Sequence, residues 1–163
     1  MSDTAQPPLA VFDLDGVLAD VQHRLHHIEG RRRDWLAFFA AAVDDPLLEP
    51  GAQLVREADR DCEVVYLSGR PERCRRDTLD WLARHDLPAG AVHLRPEHDR
   101  RPAMLMKPRL LARVARDRVV AVVVDDDLAV CDAYEAAGWP VLRATWAQES
   151  AALQQAQEAE GRT

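Results

Sequence analysis

The chain has 163 residues, 47% of them hydrophobic and 30% charged, with a formal net charge of -7. That length fits one domain with a real core, and the composition is ordinary for a globular protein. No apolar run approaches a membrane span, and the negative balance argues against tight, sequence-independent binding to a long polyanion.

Apolar runs of strand length alternate with helical patterns along the chain. The first run, Leu9–Phe12, ends in Asp13-Leu14-Asp15-Gly16. Alternate side chains of a strand share a face, so Asp13 and Asp15 converge at its carboxyl end, and Gly16 permits a sharp turn. Two carboxylates held so close repel unless a cation or a shared proton neutralises them. The pattern suits a hard cation with oxygen ligands beside one carboxylate free to attack. A calcium loop is excluded: its closing position 12, counted from Asp13, is Arg24, and Val17, Leu18 and Val21 between are apolar.

Residues 19–50 then break the alternation. They carry Trp35, Phe38 and Phe39 at helical spacing in a predicted helix over Asp34–Val43. The segment reads as a small lid that selects substrate, its aromatic stripe as packing against the core. Helices are expected at Ala52–Arg60, Pro71–His85, Pro108–Arg116 and Leu128–Ala137, and further strands at Glu63–Leu67, Ala91–Leu94, Val119–Val124 and Pro140–Arg143. Pro71 suits a first helical turn and Gly138 a helix stop. Residues 1–8 and 158–163 look like frayed tails. The expectation is α/β: a Rossmann-like three-layer sandwich on a mainly parallel five-stranded sheet, residues 9–145, with a small helical insertion after the first strand.

Further strand ends carry polar groups. Glu63–Leu67 runs into Ser68-Gly69-Arg70-Pro71, where the hydroxyl, backbone N–H groups and a guanidinium could hold an anion. Val119–Val124 runs into Asp125-Asp126-Asp127. Asp127 reads as a helix cap, whereas Asp125 and Asp126 could complete a metal's oxygen shell with Asp13. Lys107 is the only lysine among 21 basic residues, which points to a place that wants a compact ammonium rather than a guanidinium. Three basic clusters, around Arg24 and Arg31–Arg33, around Arg70–Arg76, and at Arg95, Arg100 and Arg101, lie near these loops and are candidates for steering a phosphorylated substrate.

Cys62, Cys74 and Cys131 form no paired framework, and the start of the chain has no signal-peptide pattern, so a reducing, cytoplasmic setting is expected.

Asp13-x-Asp15-Gly16, then Ser68, Lys107 and Asp125-Asp126, in that order, resemble the haloacid dehalogenase superfamily of phosphohydrolases over about residues 9 to 145. Within it, Phe12 to Ala19, Val65 to Glu72 and Val124 to Asp127 with Gly138-Trp139 are similar to the 3'-phosphatase domain of bacteriophage-type polynucleotide kinase. The resemblance implies that Asp13 attacks phosphorus to form an aspartyl-phosphate, and that Asp15 protonates the leaving alkoxide and then deprotonates water. It implies that Ser68, Gly69, Arg70 and Lys107 bind the phosphoryl group. Mg2+ would be held by Asp13, the Asp15 backbone carbonyl and Asp125, supported by Asp126. No Gly-x-x-x-x-Gly-Lys-Ser/Thr loop is present, so no kinase activity is implied. The substrate implied is a nucleotide or a 3'-phosphorylated nucleic-acid end. The alternatives are a small phosphometabolite and, from another class, a non-catalytic binding protein on the same fold.

Overall fold

The computed structural model describes residues 6–163, and in it five parallel strands form one sheet. The strands are β1 Leu9–Phe12, β2 Glu63–Pro71, β3 Ala91–Arg95, β4 Val120–Asp125 and β5 Val141–Arg143, in spatial order β3-β2-β1-β4-β5. Val11 pairs with Val65 on one side and Val123 on the other, so β1 is central.

The two-residue period of a strand sends its side chains to two separate cores. Ala10, Phe12, Val64 and Tyr66 face α2 (Glu49–Ala58) and α3 (Arg75–Arg84). Leu9, Val11, Val65 and Leu67 face α4 (Ala103–Ala115) and α5 (Leu128–Ala136). These layers are the expected α/β sandwich. Burying a side chain such as Phe12 contributes about 1.5–3 kcal/mol. The chain reverses its order of travel beside β1, which places a crevice at the carboxyl ends of β1 and β4.

The insertion consists of a 3-10 turn at Gln22–His27, α1 at Trp35–Ala40 and a second 3-10 turn at Ala41–Asp44. Asp34 caps α1 by accepting from the Ala37 N–H. Phe38 and Phe39 bury themselves with Val21, Leu25, Ile28 and Cys74, and Trp35 packs alongside. The aromatic stripe therefore builds a third, smaller core that Cys74 and Leu153 join from outside the insertion.

Several boundaries differ from the sequence reading. β2 continues through Ser68-Gly69-Arg70 to Pro71, so Pro71 is extended and precedes a 3-10 turn instead of opening a helix. The helix expected from Pro108 begins at Ala103, with Lys107 and Pro108 inside it. A further helix, α6 (Ala151–Glu158), was not anticipated. The frayed end expected at 158–163 is packed instead: Thr163 is buried and its carbonyl accepts from Arg95. The other expected tail, as far as residue 5, lies outside the described residues. Among the described residues no helix is long and apolar enough to cross a membrane.

Candidate active site

The carboxyl end of β1 sets the first group in place. The Asp13 N–H donates to the Val124 carbonyl at 2.9 Å, continuing the ladder one residue past the strand. The Asp13 Oδ1 atom accepts the Leu14 N–H at 2.8 Å. The chain then turns at Gly16, whose φ of +80° suits glycine. A Cβ there would lie 2.0 Å from Asp126 Oδ2, so only glycine lets this turn close against the second acidic motif.

The structure brings Asp13, Lys107 and Asp125 together. Lys107 Nζ donates to Asp13 Oδ2 at 2.9 Å and to Asp125 Oδ2 at 2.7 Å, with all three side chains buried. Asp13, Asp125 and Asp126 each offer an oxygen within 4.8 Å of the others. Asp126 Oδ1 is buried with no hydrogen-bond partner. Carboxylate oxygens in this number, one of them unsatisfied, fit a hard divalent cation such as Mg2+. Burial, opposed by Lys107 and reinforced by Asp125, raises Asp13 to about 7. Burial, then Asp125 and Asp13, push Asp126 well above the usual carboxylate range. Burial would lower Lys107, but Asp125 and Asp13 more than reverse it and keep the ammonium charged. Asp127 stands apart as the cap of α5, accepting from the Val130 N–H at 2.9 Å.

Asp15 points elsewhere. Its Oδ1 accepts from Arg24 at 2.9 Å and twice from Arg70, at 2.9 and 2.5 Å. Its Oδ2 is buried and unpartnered. Burial favours the protonated form, yet the two guanidiniums win and hold Asp15 at about 2. The same arginines reach Asp45: Arg24 donates to it at 2.8 and 2.9 Å, and Arg70 at 2.8 Å. His23 meets Asp45 Oδ1 at 2.7 Å, and the Trp81 indole donates to the Asp45 carbonyl at 2.8 Å. Two buried acids thus face two buried arginines, the arrangement that offsets the cost of removing charges from water. Arg24 also lies 4.3 Å above the Phe38 ring.

The sequence reading missed Arg24 as a site residue, placing it only in a surface cluster, and missed Asp45 altogether. Its one available cue was a charged residue beside buried apolar Val21 and Leu25 in a segment with no clear period. Ser68 is buried at the same strand end, and its hydroxyl accepts from the Arg70 N–H at 3.2 Å rather than capping a helix. The side chain of Asp15 lies outside the acidic trio, leaving its backbone carbonyl as the group it could offer a metal. The basic clusters are largely neutralised on site. Arg73 pairs with Glu97, Arg75 with Glu72, Arg101 with Asp99 and Arg33 with Glu160. Arg95 is buried, donating to the carbonyls of Gly69, Arg101 and Thr163.

A solved structure of the Pnkp1/Rnl/Hen1 RNA repair complex and one of the Pnkp1/Rnl/Hen1 complex superpose with TM-scores of 0.74 and 0.73 at 24% and 25% identity, over 91% and 90% of this chain. The chain spans 46% and 49% of those longer chains, about half their length. A class C acid phosphatase from Bacillus anthracis, solved with tungstate bound, shares the fold at TM-score 0.62 and 17% identity, over 78% of this chain and 55% of its own. A haloacid dehalogenase-like hydrolase from Streptococcus pneumoniae matches at TM-score 0.63 and 13% identity, over 94% and 92% of the two chains. No curated protein matches the sequence. The family described as "Polynucleotide kinase PNKP phosphatase domain" matches residues 7–147, most of the chain and every residue of the two clusters above. The chain belongs to that family of phosphatase domains, within the haloacid dehalogenase fold.

Proposed function

We propose that this chain is a Mg2+-dependent phosphomonoesterase that works through an aspartyl-phosphate on Asp13 and acts on 3'-phosphorylated nucleic-acid ends. The observation that carries the reading is the split of two neighbouring carboxylates between two environments. Asp13 sits among Lys107, Asp125 and Asp126, and Asp15 sits between Arg24 and Arg70. Enzymes divide nucleophile and proton shuttle between paired acids by such differences of surroundings.

Asp13, Asp125 and Asp126, with the Asp15 backbone carbonyl, are the groups that would hold the cation. When bound, Mg2+ supplies positive charge that neutralises the acids and the phosphoryl oxygens. A carboxylate oxygen of Asp13 forms a bond to phosphorus as the bond to the leaving oxygen breaks, and Asp15 gives that oxygen a proton. Asp15 then takes a proton from a water that attacks phosphorus, and the Asp13–phosphorus bond breaks to release phosphate. Lys107, the Ser68 hydroxyl and the Gly69 N–H border the place of the phosphoryl group. Arg70 has two carboxylate partners here, and a substrate phosphate would compete for it. Drawing Arg70 away removes one of the two cations that keep Asp15 ionised, which suits Asp15 to carry a proton when substrate is bound.

The test is Mg2+-dependent phosphate release from an aryl phosphate, sugar phosphates, 3'- and 5'-nucleotides and 3'-phosphorylated oligonucleotides. Asp13→Asn is expected to lower release by on the order of a thousandfold or more. Release by wild type that is equal in Asp13→Asn removes the nucleophile assignment. A preference for sugar phosphates or 5'-nucleotides removes the nucleic-acid assignment. The net charge of -7 and the neutralised surface arginines favour that small-metabolite reading.

A further inference from the structure

We propose that Arg95 is a positioning residue for the Ser68-Gly69-Arg70 segment: its buried guanidinium fixes the Gly69–Arg70 peptide and ties it to the stretch that leads into α4. The inference rests on the reading that this segment holds the phosphoryl group, and no step of that reading uses Arg95. Arg95 ends β3 and is fully buried. A guanidinium taken out of water calls for an acid in contact with it. Among the described residues the carboxylate nearest to hand is Asp99, 4.0 Å from Nη1 and itself held by Arg101. Burial lowers Arg95 to about 10, opposed by Asp99 and reinforced by Arg100 and Arg101, so the group is still charged at neutral pH.

Its donors go to backbone carbonyls instead. Nε donates to Gly69 at 3.2 Å, Nη1 to Arg101 at 2.7 Å and to Asp99 at 3.4 Å, and Nη2 to Thr163 at 3.1 Å. A planar fork of donors suits carbonyls that arrive from separate segments, where a lysine ammonium would reach fewer. The bond to Gly69 falls where the ladder between β2 and β3 is interrupted. Leu67 pairs with His93 and Pro71 with Arg95, so Ser68, Gly69 and Arg70 stand opposite Leu94 alone. In such a bulge the extra residues lose their ladder bonds, and their side chains take new directions.

A trans peptide is planar, so its carbonyl and its N–H point opposite ways. With the Gly69 carbonyl turned to Arg95, the Arg70 N–H faces away from it and donates to the Ser68 hydroxyl at 3.2 Å. The same orientation starts the Arg70 side chain toward Asp15. Without Arg95 this peptide is free to turn over, and a carbonyl oxygen brought round to the anion would repel it. The bond to the Arg101 carbonyl acts on the other wall. It anchors the stretch just before Ala103, where α4 begins, and α4 carries Lys107 to Asp13 and Asp125. One buried group thus sets both walls of the phosphoryl place against each other.

The test is binding of inorganic phosphate by calorimetry in Mg2+, with kcat and KM for an aryl phosphate measured beside it. Arg95→Ala is expected to weaken phosphate binding by about tenfold and to lower kcat/KM by about a hundredfold. Arg95→Lys keeps the charge and loses the fork, so it should weaken phosphate binding by a smaller factor. Guanidinium chloride at low concentration should restore phosphate binding to Arg95→Ala, and sodium chloride at the same concentration should not. A group needed for folding alone would lower the urea midpoint and leave the phosphate affinity of the folded protein unchanged. Wild-type phosphate affinity in the folded variants therefore overturns the proposal. So does a loss in Arg95→Ala that guanidinium does not reverse, or that sodium chloride reverses equally. Should Arg95→Ala fail to fold by circular dichroism, Arg95→Lys decides. Failure of the phosphatase reading looks different: wild type binds phosphate yet releases none from the ester with Mg2+, and the variants still judge Arg95 by binding.

Discussion

Asp13 and Asp15 are two residues apart and titrate in opposite directions. A buried carboxyl raised to about 7, as Asp13 is by burial and its acidic neighbours, binds a proton in the folded state that the unfolded chain has lost by about pH 4. Folding stability from this group therefore declines as pH rises from about 4 to 7. Asp15 has the other sign: held at about 2 by Arg24 and Arg70, it contributes stability above about pH 4 and loses it as pH falls toward 2. Asp13→Asn removes only the first effect. In EDTA, the melting temperature of Asp13→Asn relative to wild type is expected to climb between pH 4 and 7.5, by on the order of 5 °C, and saturating Mg2+ should narrow the gap. A gap that stays flat with pH contradicts the assignment of a raised Asp13. Asp45 gives a separate test. It is buried and bonded to Arg24 and Arg70, so Asp45→Ala leaves two buried guanidiniums with Asp15 as their one shared acid and should cost about 3–5 kcal/mol in urea unfolding.

The insertion, α3 and α6 hold one another in place through few but specific links. The Trp81 indole of α3 donates to the Asp45 carbonyl, while Leu153 of α6 packs among Phe38, Phe39 and Cys74. Trp81→Phe keeps most of the ring and loses the donor, so it should lower stability by about 1–3 kcal/mol through the stranded carbonyl. Equal stability of the two proteins by urea titration counts against that link. What could be read from the sequence follows from the range of the interactions. β1, β4 and their terminal acids were legible because an apolar run and its final residues are local signals. Lys107 stood out as the only lysine, yet its helix was misplaced. The helix was expected from Pro108 to Arg116, whereas α4 starts at Ala103 and carries the proline inside. Arg70 was read as a phosphate ligand from its neighbours, and its ion pairs with Asp15 and Asp45 exist only once β2 meets the insertion. Helix α6 escaped because Ala151–Glu158 is mostly alanine, glutamine and glutamate, with Leu153 alone as a large apolar anchor.

With a net charge of -7, the protein attracts a polyanion only where local cations overcome the whole. Several surface arginines, Arg73, Arg75 and Arg101 among them, already have a carboxylate within reach, and exposed pairs of that kind add about 0–1 kcal/mol to stability each. The order of the sheet bears on something else, the making of the protein. The first strand synthesised is the middle one, and Val11 must wait for Val65 on one side and Val123 on the other. Until both arrive, β1 is an apolar segment with two open edges, prone to pair with other chains. Asp13 leaves the ribosome before Asp125 and Asp126, which come with the fourth strand. A chain halted before β4 thus has Asp13 and neither acid of the second motif, so the acidic trio of Asp13, Asp125 and Asp126 assembles in a single late step.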